Sequence, residues 1–104
     1  MNTRLLETQA DFEALWTSIN TDPWIVYFTA AWCKACKSID IEEICKSTNI
    51  PVYKCDESQN TYTIGYCGIR KFPTFVCYKP GKIISTCQSN NMDDIFSWIK
   101  SLNE

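Results

Sequence analysis

The feature that most constrains the fold is a short apolar run followed closely by a pair of cysteines. The run, from Trp24 to Phe28, is rich in β-branched and aromatic residues and has the length of a buried strand. The residues from Cys33 to about Thr48 then have the apolar spacing of a helix. Cys33 and Cys36 are therefore predicted to lie where a strand passes into the first turn of a helix.

This position favours a reactive cysteine. The unpaired backbone N–H groups and the dipole at the start of a helix stabilise negative charge, and the thiolate is the reactive form of cysteine. The two residues between Cys33 and Cys36 bring the second thiol round one helical turn, within reach of the first. The pair is therefore expected to form and break an intramolecular disulfide.

Length and charge exclude several classes of protein. The chain has 104 residues, so a single domain over 1–104 is expected. The net charge of −2 gives no electrostatic argument for a nucleic-acid or membrane partner. No apolar run approaches the roughly 20 residues of a membrane span. The first residues lack the pattern of a secretory or transit signal, so a cytoplasmic location is expected.

Cysteine and histidine usage narrows the chemistry further. The chain has 7 cysteines and no histidine, which excludes Ser-His-Asp and Cys-His catalysis and any zinc site with a histidine ligand. A four-cysteine zinc site would need a second closely spaced pair, so no metal is expected. The remaining cysteines are interpreted as small core residues; these are Cys45, Cys55, Cys67, Cys77 and Cys87.

The remaining patterns predict the order β-α-β-α-β-α-β-β-α. Alternating strands and helices favour parallel pairing, and the closing hairpin adds an antiparallel pair. The predicted strands are 4–6, 24–29, 51–55, 74–78 and 83–87. The predicted helices are 9–19, 33–48, 61–67 and a last helix capped by Asn91. Phe12, Leu15, Trp16 and Ile19 are expected on the buried face of the first helix.

Two motifs stand out: Trp32-Cys33-x-x-Cys36 and, about 40 residues on, Phe72-Pro73-Thr74 before a strand. Together they resemble the motifs of the thioredoxin family. The resemblance implies an α/β thioredoxin fold, three-layer α/β/α, with a central mixed sheet of four to five strands flanked by four helices. It also implies that the Phe72–Pro73 bond is cis, a minority state for X-Pro bonds.

The resemblance further implies a protein-disulfide reductase with roles in electron transport and cell redox homeostasis. Cys33 would attack a target disulfide and Cys36 would resolve the mixed disulfide. Trp32, Phe72 and Pro73 would contact substrate, and Lys34 would favour the Cys33 thiolate. The resemblance implies no cofactor beyond the Cys33–Cys36 disulfide. The implied partners are disulfide-containing proteins and a thioredoxin-reductase-like or other dithiol reductant, with the chain a monomer.

The sequence also departs from the family pattern. Lys34-Ala35 replaces the common Gly-Pro, which leaves the redox potential open. Tyr27 stands where typical members carry the carboxylate that takes a proton from the resolving thiol, and a phenol is a poor base at neutral pH. We interpret Tyr27 as a core residue and assign no catalytic role to Asp56. Ile41 replaces a helix proline, which predicts a straighter helix, and Ser89 replaces a glycine, which predicts a narrower target range.

Two alternatives to a reductase stay open at this point. One is an enzyme that uses the same thiol–disulfide exchange in the opposite direction or with a different partner, namely an oxidase, an isomerase or a glutathione-linked enzyme. The other is a redox-inactive interaction module of the same fold. The midpoint reduction potential distinguishes the first alternative from a reductase. Loss of activity in Cys33→Ser distinguishes either kind of enzyme from the redox-inactive module.

Overall fold

The computed structural model describes residues 4–102. Their strands are β1 (Arg4–Leu5), β2 (Trp24–Thr29), β3 (Val52–Asp56), β4 (Thr74–Lys79) and β5 (Lys82–Cys87). The helices are α1 (Gln9–Trp16), α2 (Ile41–Lys46), α3 (Thr61–Tyr66) and α4 (Met92–Leu102), with a 3₁₀ helix over Ala35–Ser38. The predicted order of strands and helices is confirmed.

The strands form one mixed five-stranded sheet in the order β1-β3-β2-β4-β5. The β1–β3 and β2–β3 pairs are parallel, whereas β4 runs antiparallel to both β2 and β5. The central strand β2 is buried along its whole length. This agrees with its continuous apolar sequence, because a strand covered on both faces has no solvated side to keep polar.

Alternate side chains of β2 enter two separate cores, one on each face of the sheet. Val26 and Phe28 pack with Phe12 of α1 and Ile64 of α3. Ile25 and Tyr27 belong to the core on the other face, which also contains Ile44 and Cys45 of α2 and Ile95 and Ile99 of α4. The period of a strand thus builds the predicted three-layer α/β/α arrangement, with two helices on each face.

The helix ends follow local side-chain chemistry. Thr8 caps α1 by accepting from the Asp11 N–H, and Asn91 caps α4 by accepting from the N–H groups of Asp93 and Asp94. Gly68 follows α3 with φ +69°, the left-handed conformation that commonly ends a helix. The expectation that α1 reaches Ile19 is wrong, because the Thr17 hydroxyl donates to the Glu13 carbonyl where the helix ends, and Ile19 is exposed.

The predicted single helix over 33–48 is also wrong. The 3₁₀ helix and α2 are separated by Ile39 and Asp40, whose backbones are extended or non-helical. Asp40 starts a new helix by accepting from the Glu43 N–H, and its own N–H points to Met92 Sδ at 3.5 Å. The absence of a proline at Ile41 therefore does not leave this segment straight, since a capping carboxylate interrupts it instead.

Candidate active site

Cys33 and Cys36 are joined by a disulfide, with their Cα atoms 5.4 Å apart. Strand β2 ends at Thr29, and the N–H of Cys33 donates to the Ala30 carbonyl in the turn that follows. The 3₁₀ helix then carries Cys36 back towards Cys33. The structure thus brings together the two cysteines that the sequence singled out, at the end of the central strand.

The backbone around Cys33 agrees only in part with the prediction. Cys33 does not begin a long helix, because only the four-residue 3₁₀ helix follows it. Instead, the backbone N–H of Cys36 points at Cys33 Sγ, 3.2 Å away. A hydrogen bond to the charged form of a group favours that form, so this N–H is placed as one of the backbone donors that were expected to stabilise a Cys33 thiolate.

Burial alone does not distinguish the two cysteines. The exposed fraction is 6% for Cys33 and 8% for Cys36, and both pack with Ala30 and the half-buried Phe72. The Phe72–Pro73 peptide bond is cis, as the resemblance implies. Phe72 therefore reaches the disulfide directly from the segment that leads into β4.

Trp32 lies at the surface beside the cysteine pair. Its side chain is 68% exposed and stands edge-on to Phe72, with ring centroids 5.6 Å apart. The indole N–H donates to Glu57 Oε1 at 3.2 Å. Glu57 follows β3 and was not identified from the sequence, since only the parallel pairing of β2 and β3 brings it next to Trp32.

A surface groove of about 290 Å³ passes the motif on one side. Ala35, Phe72, Pro73 and Ser89 contribute to its walls. The Ser89 hydroxyl donates to the Asp94 carboxylate at 3.0 Å and also accepts from the Asn91 N–H. The serine side chain is thus fixed in the groove by its contacts with the start of α4. Lys34 is exposed just before the 3₁₀ helix.

A separate cavity of about 240 Å³ lies next to both cysteines. Tyr27, Lys54 and Asp56 line it together with Cys36. The Tyr27 hydroxyl donates to the Cys36 carbonyl at 3.5 Å, and its ring stacks on Phe75. Burial raises the pKa of Tyr27. A hydrogen bond with Thr29 partly offsets this increase, and the negative charge of Asp56 adds to it. Tyr27 is therefore a neutral core residue, as interpreted from the sequence.

The scattered cysteines lie in or against the two cores. Cys45, Cys55 and Cys77 are buried, whereas Cys67 and Cys87 are only half-buried. Burial raises the pKa of the Cys55 thiol to about 12 and also raises the pKa of Cys67, Cys77 and Cys87. These four groups are thus protonated thiols at neutral pH, which makes them poor nucleophiles.

Residues 4–102 contain neither a candidate metal site nor a candidate membrane span. No group of three or more Cys, Asp or Glu side chains is placed to hold a metal ion there. In the same range, no helix has both the length and the apolar character needed to cross a membrane.

Comparison with known proteins agrees with this geometry. The thioredoxin family model matches residues 4–101. Thioredoxin of Gallus gallus is 32% identical over 98 residues, which cover 89% of this chain and 91% of that protein. Among solved structures, Fasciola hepatica thioredoxin superimposes with a TM-score of 0.84 at 28% identity and covers 95% of this chain and 98% of its own. Plasmodium falciparum thioredoxin gives the same TM-score at 27% identity, with the same coverage.

A Cys-x-x-Cys disulfide at the end of the central strand, on a fold and a sequence that both match these relatives, settles the family and its chemistry. Thiol–disulfide exchange is the reaction that such a pair performs. This chain therefore belongs to the thioredoxin family and is a thiol–disulfide oxidoreductase that reduces protein disulfides.

Proposed function

We propose that Cys33 is the attacking cysteine and Cys36 the resolving one. The hydrogen bond from the Cys36 N–H to Cys33 Sγ at 3.2 Å carries this assignment. It stabilises a thiolate on Cys33 in the reduced protein, and a thiolate is the form that attacks a disulfide. The exposed Lys34 is next along the chain and adds a positive charge beside Cys33.

The reaction proceeds in two exchanges. The Cys33 thiolate attacks one sulfur of the target disulfide, so a mixed disulfide forms and the other target sulfur leaves as a thiolate. Cys36 then loses its proton and attacks Cys33 Sγ. The Cys33–Cys36 bond forms, the bond to the target breaks, and the target departs with both of its sulfurs reduced. The protein carries away the oxidising equivalent as its own disulfide.

Substrate binding is assigned to the surface around the motif. Trp32 and Phe72 offer an apolar contact next to the sulfur atoms, and the groove past Pro73 admits an extended peptide. Backbone next to Pro73 would pair with the target chain in the manner of an added strand. The substrates are disulfide-containing proteins, and the shape of the groove selects among them.

The remaining assignments follow the family. We propose that a thioredoxin-reductase-like enzyme or another dithiol returns the Cys33–Cys36 pair to its reduced state, and that the chain works as a monomer in the cytoplasm. The half-buried thiols of Cys67 and Cys87 support a reducing compartment, since unpaired thiols persist where disulfides are kept reduced.

Two single substitutions test the roles of the cysteines. Cys33→Ser is expected to reduce turnover of a disulfide-bonded protein such as insulin to background. Cys36→Ser is expected to accumulate a covalent complex with the target, visible on a non-reducing gel and released by dithiothreitol. Accumulation of that complex in Cys33→Ser instead would reverse the two roles, and full activity in Cys33→Ser would remove the pair from the reaction.

A further inference from the structure

The resolving step requires a proton acceptor, because Cys36 must become a thiolate before it attacks Cys33. The phenol of Tyr27 is neutral and does not accept this proton. We propose that Asp56, at the end of β3, receives the Cys36 proton through water held in the cavity that both residues line. This inference rests on the proposed role of Cys36 as the resolving cysteine.

Strand register explains why Asp56 reaches this cavity. In the parallel β2–β3 pair, Tyr27 is opposite Lys54 and Thr29 is opposite Asp56. Residues two apart on a strand point to the same face, so all four side chains are directed to one side of the sheet. The cavity lies on that side and is bounded by Cys36. Cys55, between Lys54 and Asp56, belongs to the core on the opposite face.

The cavity is suited to carry a proton by water. Its volume of about 240 Å³ holds several water molecules. The exposed Lys37 is part of its wall, so water enters from the surface. A hydrogen-bonded chain of water between Cys36 and Asp56 therefore requires no rearrangement of the protein.

Charge chemistry singles out Asp56 among the groups that face this space. Besides the two cysteines, the described lining contains the titratable groups Tyr27, Lys37, Lys54 and Asp56. The ammonium groups have no proton-accepting site while they are charged, and Tyr27 stays protonated because burial raises its pKa. Asp56 is the one carboxylate in this set.

The position of the Asp56 carboxylate is fixed on one side only. Its Oδ1 accepts from both the N–H and the hydroxyl of Ser58, at 2.9 and 2.7 Å. Both bonds go to Oδ1, so among the contacts of residues 4–102 the Oδ2 atom is left to accept a proton. Asparagine at this position keeps an Oδ1 acceptor for both Ser58 bonds, which makes Asp56→Asn a fold-sparing test.

The resolving step is balanced in protons and electrons without any added reagent. The Cys36 S–H proton passes through water to Asp56 Oδ2, and the resulting thiolate attacks Cys33 Sγ. The disulfide to the target breaks as the Cys33–Cys36 disulfide forms. The departing target thiolate then takes up this proton from Asp56 through the same water, which returns Asp56 to its charged form.

Ellman's reagent separates the two exchanges in a stopped-flow experiment with the fully reduced protein in excess. The first release of coloured thiolate reports attack by Cys33, and the second reports resolution by Cys36. At neutral pH, Asp56→Asn is expected to slow the second release by about a hundredfold or more while leaving the first unchanged. The deficit should shrink as the pH rises, because hydroxide then removes the Cys36 proton directly.

The direction of the effect distinguishes a proton acceptor from a neighbouring charge. If Asp56 acted only through its charge, its loss would favour the Cys36 thiolate and the second release would become faster. An unchanged or faster second release in Asp56→Asn therefore overturns the proposal. Asp56→Glu, which keeps a carboxylate, is expected to retain the fast second release.

Two controls keep this test separate from the proposed function. Glu42→Gln removes an exposed carboxylate on α2 that does not line the cavity, and both releases should keep their wild-type rates. Cys36→Ser should lose the second release completely. If Cys36→Ser keeps it, the assignment of Cys36 as the resolving cysteine fails; if only Asp56→Asn lacks an effect, that assignment stands and the role of Asp56 fails.

Discussion

The indole N–H of Trp32 donates to Glu57 Oε1 at 3.2 Å, which ties the exposed ring beside Cys33 to the residue that follows β3. With Phe72 edge-on to the same ring, Trp32 is held on two sides although most of its surface is exposed. A contact surface that is already ordered loses less entropy when a target docks.

Loss of this hydrogen bond should therefore weaken the use of protein substrates. Glu57→Ala is expected to lower kcat/KM for a disulfide-bonded protein by about fivefold, corresponding to about 1 kcal/mol for one hydrogen bond. Glu57→Gln keeps an acceptor for the indole and should remain close to wild type. An equal loss with Ellman's reagent, which is too small to use the Trp32 surface, would contradict this interpretation.

Tyr27 contributes packing and not proton transfer. Tyr27→Phe keeps the stacking on Phe75, whose centroid is 4.8 Å away, and removes the long hydrogen bond to the Cys36 carbonyl together with the hydrogen bond with Thr29. The resolution rate should stay within about twofold of wild type, with a loss in the free energy of unfolding of about 1 kcal/mol or less. Stopped-flow release from Ellman's reagent and urea unfolding measure the two quantities. A much slower second release at neutral pH would show that the phenol takes part.

The buried thiol of Cys55 makes stability fall at alkaline pH. The folded protein holds the Cys55 pKa at about 12, above its ordinary value of 9.0, so between these values the unfolded chain loses a proton that the folded protein keeps. The free energy of unfolding should then decrease as the pH rises, by up to about 1.4 kcal/mol per pH unit for this group. Below the unfolded pKa the contribution is fully present.

Cys55→Ala separates this effect from other alkaline changes. The substitution is expected to cost about 1 kcal/mol at neutral pH through the lost packing, but to make the decline above about pH 9 shallower. Urea unfolding in the presence of a reductant, repeated across the alkaline range, gives both quantities. A decline as steep as that of the wild type would contradict the assignment of this slope to Cys55.

Ser89 is expected to restrict which targets enter the groove. Ser89→Gly removes a side chain from the groove wall together with its hydrogen bonds to Asp94 and Asn91. The variant should be less stable by about 1 kcal/mol, yet should reduce bulky protein disulfides faster relative to a small disulfide. Comparison of kcat/KM for insulin and for Ellman's reagent measures this ratio. A ratio equal to that of the wild type would show that the groove width does not limit the reaction.

Most of the fold could be predicted because local patterns and the tertiary structure agree. The continuous apolar sequence from Trp24 to Phe28 specifies a strand buried on both faces, and the caps at Thr8 and Asn91 place the starts of α1 and α4. The position of the cysteine pair follows from the same patterns. These signals are carried by neighbouring residues, so a single sequence suffices to read them.

The features that were missed depend on contacts between distant segments. The break at Asp40 combines a capping pattern, Asp40 followed by Glu43, with the contact from its N–H to Met92 of α4. The capping pattern was readable, but the apolar spacing around it favoured one helix. Lys54, Asp56 and Glu57 reach the site only through the register of β3 against β2, which no local pattern in the sequence specifies.

The reduction potential of the Cys33–Cys36 pair tests most directly whether this chain is a reductase. The protein would be equilibrated with dithiothreitol and glutathione buffers while tryptophan fluorescence near the disulfide is followed, with Cys36→Ser as the control that lacks the transition. The account predicts a single two-electron transition near the value of about −270 mV known for thioredoxin. A midpoint between about −200 and −120 mV, typical of oxidases and isomerases, would contradict it and would point to Lys34-Ala35 as the cause.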